Sequence, residues 1–211
     1  MAGGAYSKEQ LALLLEGVSR IFNGFIVGLV LGIIFAIAYV ALILSSDDNA
    51  EAFIHGLGIL IIILGVLAFP INYYFLYGGL VYLSRADRGK YGIGAWGGLG
   101  LLVLSGVLII YGVFLIASHI SLTMFLMMTV PIAIVGLIIQ VFMYVALYRL
   151  GNDFNVGYLT AGIIILLFAT VLSVIPLINV VGGILGLVGF VLMLVGLNEV
   201  KNKIGAWITP R

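Results

Sequence analysis

Long apolar runs alternate with short polar breaks along the whole chain. The runs lie at about 22–44, 53–83, 91–116, 122–150, 157–175 and 180–198. Apolar runs of about 18 residues or more are typical of membrane-spanning helices. The short-period alternation of a membrane β-barrel is absent from the sequence. The pattern therefore predicts an all-α integral membrane protein, a six-helix transmembrane bundle that forms one domain over 22–198.

Two apolar stretches, 53–83 and 157–198, are much longer than a single membrane-spanning helix requires. Residues 53–83 would form a straight helix of roughly 46 Å, so we expect a tilt, or a kink at Pro70. Residues 157–198 would form one of roughly 63 Å, about twice the hydrocarbon core. Pro176 and Asn179 are expected to divide this stretch into two short spans. A re-entrant hairpin is the alternative.

Residues 1–21 precede the first span and have their own pattern. Ser7 and Gln10 form a capping-box motif, which predicts the start of a helix. Leu11, Leu14 and Val18 then recur at helical spacing. This predicts an N-terminal amphipathic helix on the membrane surface. The alternative is a helical extension of the first span.

The basic residues predict how the chain crosses the membrane. With six spans, all nine Lys and Arg residues fall on one side: Lys8, Arg20, Arg85, Arg88, Lys90, Arg149, Lys201, Lys203 and Arg211. Loops rich in Lys and Arg stay in the cytoplasm. We therefore expect both termini, including a tail at 199–211, to be cytoplasmic in a multi-pass protein of the cell membrane.

Composition narrows the class of function. The chain is 64% hydrophobic and 8% charged, whereas soluble domains carry about 25% charged residues. A net charge of +1 offers no attraction for nucleic acid. The sequence contains no cysteine, so thiol catalysis and cysteine-held metals are excluded. The expected surroundings are membrane lipid and other membrane proteins.

The inventory of reactive side chains predicts a protein that is not an enzyme. A serine protease needs a base near its serine, but Ser105 has no histidine at its depth. An aspartyl protease needs two buried carboxylates, and the His-Glu-x-x-His motif of zinc proteases is missing. We expect no catalytic residue and no cofactor.

Small residues recur at helical spacing in three spans. Glycine or alanine at every fourth position lets another helix backbone come close, which drives association in lipid. The first span would use this face within the bundle or between copies in a homo-oligomer. The predicted packing residues are Gly24, Gly28 and Gly32, followed by Ala36, then Gly94 and Gly98, and finally Gly182, Gly186 and Gly189.

Polar residues are rare within the runs. Asn72 and Gln140 are the clearest ones, and no ionisable residue lies near the centre of a span. Intramembrane ionisable groups mark proton and ion pathways, so their absence argues against an ion-coupled pump. We interpret Asn72 and Gln140 as interhelical hydrogen-bonding residues, with a substrate site as the alternative.

The outer polar loops contain both histidines of the chain. Glu51 and His55 are four residues apart and share a helix face, and His119 follows the third run. Such side chains can bind a divalent metal. The alternative is that Asp48 and Glu51 cap the second span and that the histidines lie among lipid headgroups.

Two glycine-containing motifs indicate a family resemblance. The segment from Leu15 to Gly24, with Glu16, Gly17, Val18, Ser19, Arg20 and Ile21, is followed by a glycine-rich span, and Tyr91-Gly92-Ile93-Gly94 opens another. In these segments the chain resembles a family of uncharacterised archaeal multispanning membrane proteins, mainly crenarchaeal and known as a domain of unknown function. The resemblance implies an archaeal cytoplasmic membrane and a helical bundle, and no catalytic residue.

The function expected from these features is that of an oligomerising structural or accessory subunit of a membrane assembly. The alternative is a facilitator or channel for a small neutral or apolar solute. A facilitator needs a continuous polar path between its helices, whereas a structural subunit packs its helices without one.

Overall fold

The computed structural model describes residues 6–46, 49–118, 122–173 and 179–208 of the 211-residue chain. These residues form an α-helical bundle. Its α-helices are α1 (Lys8–Ser45), α2 (Ala50–Ile71), α3 (Gly78–Ala86), α4 (Arg88–Ala117), α5 (Leu122–Asp153), α6 (Gly157–Ser173) and α7 (Asn179–Ile208), and a π-helix, Asn72–Tyr77, joins α2 to α3.

Within the described ranges, five helices are long and apolar enough to cross a membrane. They are Lys8–Ser45, Ala50–Ala86, Arg88–Ala117, Thr123–Asp153 and Val181–Ile208. The sixth apolar helix, α6, has 17 residues, which is near the lower limit of about 17 for a span. The predicted all-α membrane architecture is confirmed at this level.

A belt of exposed apolar side chains surrounds one part of the bundle. On α1 it extends from Ile26 to Leu44, and on α4 from Trp96 to Ile116. At 1.5 Å per residue these stretches are about 27 and 30 Å long, close to the hydrocarbon thickness of a bilayer. The belt is therefore the surface that fits lipid, and Trp96 lies at its edge.

The largest core lies beyond the belt, at the end where the described basic residues gather. We call this the charged end. Leu14, Leu83, Leu150 and Leu197 are fully buried there, together with Tyr91. A smaller core at the opposite end surrounds Ile54, Tyr111 and Leu115. The helices thus project past the belt and pack there in the way that soluble bundles pack.

Residues 8–21 belong to the same continuous helix as the first span. The predicted capping box at Ser7 and Gln10 is confirmed. Every buried residue of α1 lies between Leu11 and Gly24, and this half packs against α3. The boundary predicted at 21/22 is therefore wrong, because the apolar face of the first turns is covered by neighbouring helices. The alternative prediction, that these residues extend the first span as one helix, matches this arrangement.

The predicted C-terminal tail is helical for most of its length. The prediction ended the last span at 198, but α7 continues to Ile208. Val200 and Ile204 are fully buried in the main core, so packing holds this end in the helix despite its polar neighbours.

An irregular turn divides the second long helix. The chain continues without a loop from Ala50 to Ala86, but the backbone widens into a π-helix at Asn72, two residues after Pro70. Proline lacks a backbone N–H and its ring crowds the preceding turn, so it weakens the regular α-helical hydrogen bonding here.

Glycines mark where the helices approach most closely. A Cβ atom built on Gly17 would lie 2.8 Å from the Gly79 carbonyl oxygen, and one on Gly97 would lie 2.8 Å from the Met143 nitrogen. Between α6 and α7, Gly189 faces Leu166 and Gly196 faces Leu159, so the residue numbers rise along α7 as they fall along α6. Helices α6 and α7 are therefore an antiparallel hairpin. Pro176, predicted to divide them, lies outside the described residues.

Candidate functional site

A groove at the depth of the apolar belt separates α1 from α2 and α7. Its volume is about 600 Å³, and we call it the α1 groove. Gly28, Gly32 and Ala36 line it from α1, Ala68 from α2 and Leu187 from α7. It forms because the outer half of α1, from Phe25 onward, contains no buried residue.

The end of the α1 groove nearest the charged end is closed by an aromatic contact. Phe25 meets Phe190 edge to face, with ring centres 5.9 Å apart. The preceding residue, Gly24, is buried, and a Cβ there would lie 2.7 Å from the Cβ of Phe75. Helix α1 thus packs closely around Gly24, leaves space at Gly28 and Gly32, and contacts α2 again near Tyr39, whose ring meets that of Phe53.

The predicted glycine face of α1 therefore has two parts. Gly24 packs inside the chain as predicted, but Gly28 and Gly32 have no neighbouring atom within 4 Å of a built Cβ. Gly28 and Gly32 do not pack against another helix of this chain, because the α1 groove separates them from α2 and α7. The prediction left association between copies open, and these two glycines remain exposed for it.

The other predicted packing glycines mostly lie at helix contacts. A Cβ on Gly94 would meet Ala146, and one on Gly98 would meet the Tyr77 backbone. Gly189 contacts Leu166 at backbone distance, Gly186 only touches Ala169 at 3.8 Å, and Gly182 is buried. Gly94 and Gly98 thus lie at contacts of α4 with other helices, and on α7 the contact of Gly189 is closer than that of Gly186.

Several close contacts use glycines that the sequence analysis did not select. They are Gly17, Gly58, Gly65, Gly79 and Gly162. Most of them do not belong to a series of small residues spaced four apart. The available signal was their location opposite another small residue in an antiparallel neighbour, which requires knowing the helix pairs.

Asn72 makes an interhelical hydrogen bond, as predicted. Its side-chain amide donates to the Ser105 hydroxyl of α4 at 2.9 Å, and that hydroxyl donates to the Leu101 carbonyl at 2.8 Å. Gln140 is half-buried, and its side chain has no hydrogen-bond partner in the described part of the chain. The prediction of an interhelical bond at Gln140 is therefore not met among these residues.

A carboxylate collects three donors at the charged end. Asp153 of α5 accepts hydrogen bonds from the Tyr91 hydroxyl at 2.6 Å, the Tyr6 hydroxyl at 2.9 Å and the Lys90 ammonium at 3.1 Å. We call these four residues the charged-end network. Burial raises the pKa of the Tyr6 phenol, so it remains a protonated donor at neutral pH.

Aromatic stacking connects this network to the C-terminal helix. Tyr6 stacks on Phe154 with ring centres 6.1 Å apart, and Phe154 stacks on Trp207 at 5.5 Å. The residue Tyr6 before α1, the break before α4, the break after α5 and the end of α7 therefore lie together. This network was not predicted from the sequence, although Asp153 is the single acidic residue in its polar break.

The histidine-containing loops do not form a described metal site. Glu51 and His55 lie in the first turns of α2, whereas His119 lies outside the described residues. No group of three or more His, Asp or Glu side chains close enough to hold a metal occurs in the described ranges. The cap of α2 is Asn49, which accepts from the Glu51 and Ala52 backbones, and Asp48 is not among the described residues.

Comparison of the chain with protein-family models, with curated proteins and with solved structures found no match. The resemblance to the archaeal family therefore stays a prediction.

Proposed function

We propose that the chain is a non-catalytic integral membrane protein that associates with a second copy of itself through the α1 groove, as a structural or accessory subunit of a membrane assembly. The observation that carries this proposal is the open glycine face of α1. Gly28 and Gly32 have free space around them, whereas most other glycines at membrane depth already touch a neighbouring helix.

The physical argument rests on how helices associate in lipid. Lipid tails are as apolar as leucine, so burying leucine or isoleucine gives two helices little reason to pair. Close contact between backbones does give one, and Gly28, Gly32 and Ala36 allow it along three turns. A second copy carries the same face on its own α1, so the two faces can meet around a two-fold axis.

We further propose that this cell-membrane protein has six spans and that both of its termini are cytoplasmic. Helix α6 is short but apolar, and it would be the fifth span in chain order, which brings the total to six. An even number of spans accounts for the proximity of Tyr6 to Phe154 and of Phe154 to Trp207. The basic residues favour the cytoplasm for this charged end.

The facilitator alternative needs polar groups along a path through the bundle. Apart from tyrosines, Ser105 is the single buried polar side chain among the described residues, and its hydroxyl is engaged by Asn72 and Leu101. This arrangement favours a structural subunit over a facilitator.

Gly28→Ile tests the proposal, with Gly106→Ile as the matched control. A Cβ built on either glycine meets no atom within 4 Å, but Gly106 lies on α4, away from the α1 groove. Size-exclusion chromatography with mass measurement should give an oligomer for the wild type and for Gly106→Ile, and a smaller species for Gly28→Ile. A monomeric wild type, or equal mass in all three proteins, would overturn self-association through α1.

A further inference from the structure

A polar pocket opens between α3 and α4 just outside the apolar belt. Its volume is about 590 Å³. Ser84 of α3 and Tyr77 of the π-helix line one side of it. The other side belongs to α4 and is lined by Arg88, Gly92 and Trp96. Ser84 and Arg88 lie toward the charged end, while Trp96 lies at the edge of the belt and is 70% exposed.

An apolar groove begins where this pocket ends. It lies between α4 and α5, has a volume of about 460 Å³ and is bordered by Val103, Val107 and Pro131. Trp96 and Leu99 belong to the lining of both cavities. From Trp96 to Val107 the groove extends about 16 Å along α4. A polar pocket and an apolar groove thus adjoin at Trp96 and Leu99, at the edge of the belt.

The exposed Arg88 guanidinium in the polar pocket forms no ion pair among the described residues. Several cations at the charged end have partners: Lys90 pairs with Asp153, Lys203 with Glu199 and Arg20 with Glu16. The Arg88 side chain has no hydrogen-bond or ion-pair partner within the described ranges. Asp87 precedes it in the chain, but one oxygen of that carboxylate accepts from the Lys90 backbone as the cap of α4.

From this juxtaposition we infer that the α3–α4 pocket and the α4–α5 groove together bind one anionic phospholipid. The Arg88 guanidinium binds the phosphate, with Ser84 as a second donor. One acyl chain lies along Leu99, Val103 and Val107, and Trp96 stands between the two parts.

The chemistry of each part fits this ligand. Arginine forms short, charge-assisted hydrogen bonds to phosphate oxygens. Basic pockets between helices on the cytoplasmic side of a membrane recognise anionic headgroups. Tryptophan prefers the headgroup level, where its ring contacts tails and its N–H contacts polar groups. A free anion would use only the polar pocket and would leave the groove without a role.

Native mass spectrometry on the purified full chain measures this binding directly. The probes are phosphatidylglycerol and phosphatidylcholine with identical acyl chains. We expect one phosphatidylglycerol to be retained per chain in preference to phosphatidylcholine. Arg88→Gln should lower that retention about fivefold. The control is Arg85→Gln, because Arg85 lies outside the pocket over the Tyr82 ring; it should retain lipid as the wild type does.

A second pair of variants tests the apolar part. Val103 and Val113 are both exposed on α4, but only Val103 borders the groove. Val103→Trp should reduce retention of phosphatidylglycerol, and Val113→Trp should not. Circular dichroism melts of all four variants check that each is folded.

Three results would overturn the inference. They are equal retention of the two lipids, equal loss in Arg88→Gln and Arg85→Gln, and full retention in Val103→Trp. A further arm adds millimolar inorganic phosphate. If phosphate displaces the lipid or raises the melting temperature as much as phosphatidylglycerol does, the ligand is a free anion and the lipid assignment fails.

Discussion

Gly58 of α2 and Gly112 of α4 face each other across a contact made by backbone atoms. A Cβ on Gly58 would lie 2.9 Å from the Gly112 carbonyl oxygen, and one on Gly112 would lie 2.8 Å from the Gly58 carbonyl oxygen. Real Cβ atoms do not approach carbonyls this closely, so the α2–α4 pair exists at this separation because both residues lack a side chain.

Gly112→Ala should destabilise the protein, because the added methyl group forces two backbones apart. We expect a cost of about 1–3 kcal/mol, as for overpacked cores. Gly106→Ala is the control on the same helix, where a Cβ meets nothing within 4 Å. Thermal melts in one detergent should show a lower midpoint for Gly112→Ala alone. Equal midpoints for the two variants would contradict the close contact.

Asp153→Asn should lower the free energy of unfolding, because it weakens the contacts of the charged-end network. The substitution removes the charge that orients the Tyr91, Tyr6 and Lys90 donors, and hydrogen bonds to charged groups contribute about 1.5–3 kcal/mol. Exposure of Lys90 to solvent reduces that value. The control is Asn152→Ala, because Asn152 is the exposed neighbour of Asp153 in the chain.

The charged-end network also predicts non-additivity. Tyr91→Phe and Asp153→Asn remove the two ends of one 2.6 Å hydrogen bond, so the double variant should lose less stability than the sum of the single variants. Denaturant unfolding of the four proteins measures this coupling. Strict additivity would show that Tyr91 and Asp153 act independently.

Asn72→Ala and Ser105→Ala should have small, coupled effects on stability. Interhelical hydrogen bonds in membranes contribute about 0.6 kcal/mol on average and at most about 1.7 kcal/mol. A double-variant cycle monitored by unfolding should therefore give a coupling in this range. A zero coupling accompanied by loss of solute flux in vesicles would instead assign Asn72 to a transport path.

Cysteine labelling tests the proposed orientation in a background without native cysteine. Ser45 and Asn152 are both exposed at opposite ends of the bundle. An impermeant maleimide should label Ser45→Cys in intact cells and Asn152→Cys only after permeabilisation. The reverse pattern would place the charged end outside the cell.

The sequence by itself predicted the helical membrane architecture and the location of every Lys and Arg on one side of it. Both follow from chemistry that is local in the chain. A backbone in lipid must satisfy its own hydrogen bonds, so long apolar runs become helices, and charged residues are expelled to their ends. The capping box at Ser7 and the interhelical role of Asn72 belong to the same class, because a neighbouring motif or a rare polar residue signals each of them.

Helix ends could not be read from hydropathy alone. The apolar run ends near 198, but burial of Val200 and Ile204 by other helices extends α7 to Ile208. Similarly, the chain from Lys8 to Ser45 is one helix because other helices cover its first turns. These boundaries depend on partners that are distant in the sequence.

Which glycines pack was decided by tertiary structure. Gly24 and Gly28 are one turn apart on the same stripe of α1, yet Gly24 meets Phe75 and Gly28 meets nothing. Spacing along the sequence predicts a face, but the angle between helices determines how far along that face contact continues. The charged-end network has the same origin, since Tyr6, Lys90, Tyr91 and Asp153 come from three separate segments that meet only when the bundle forms.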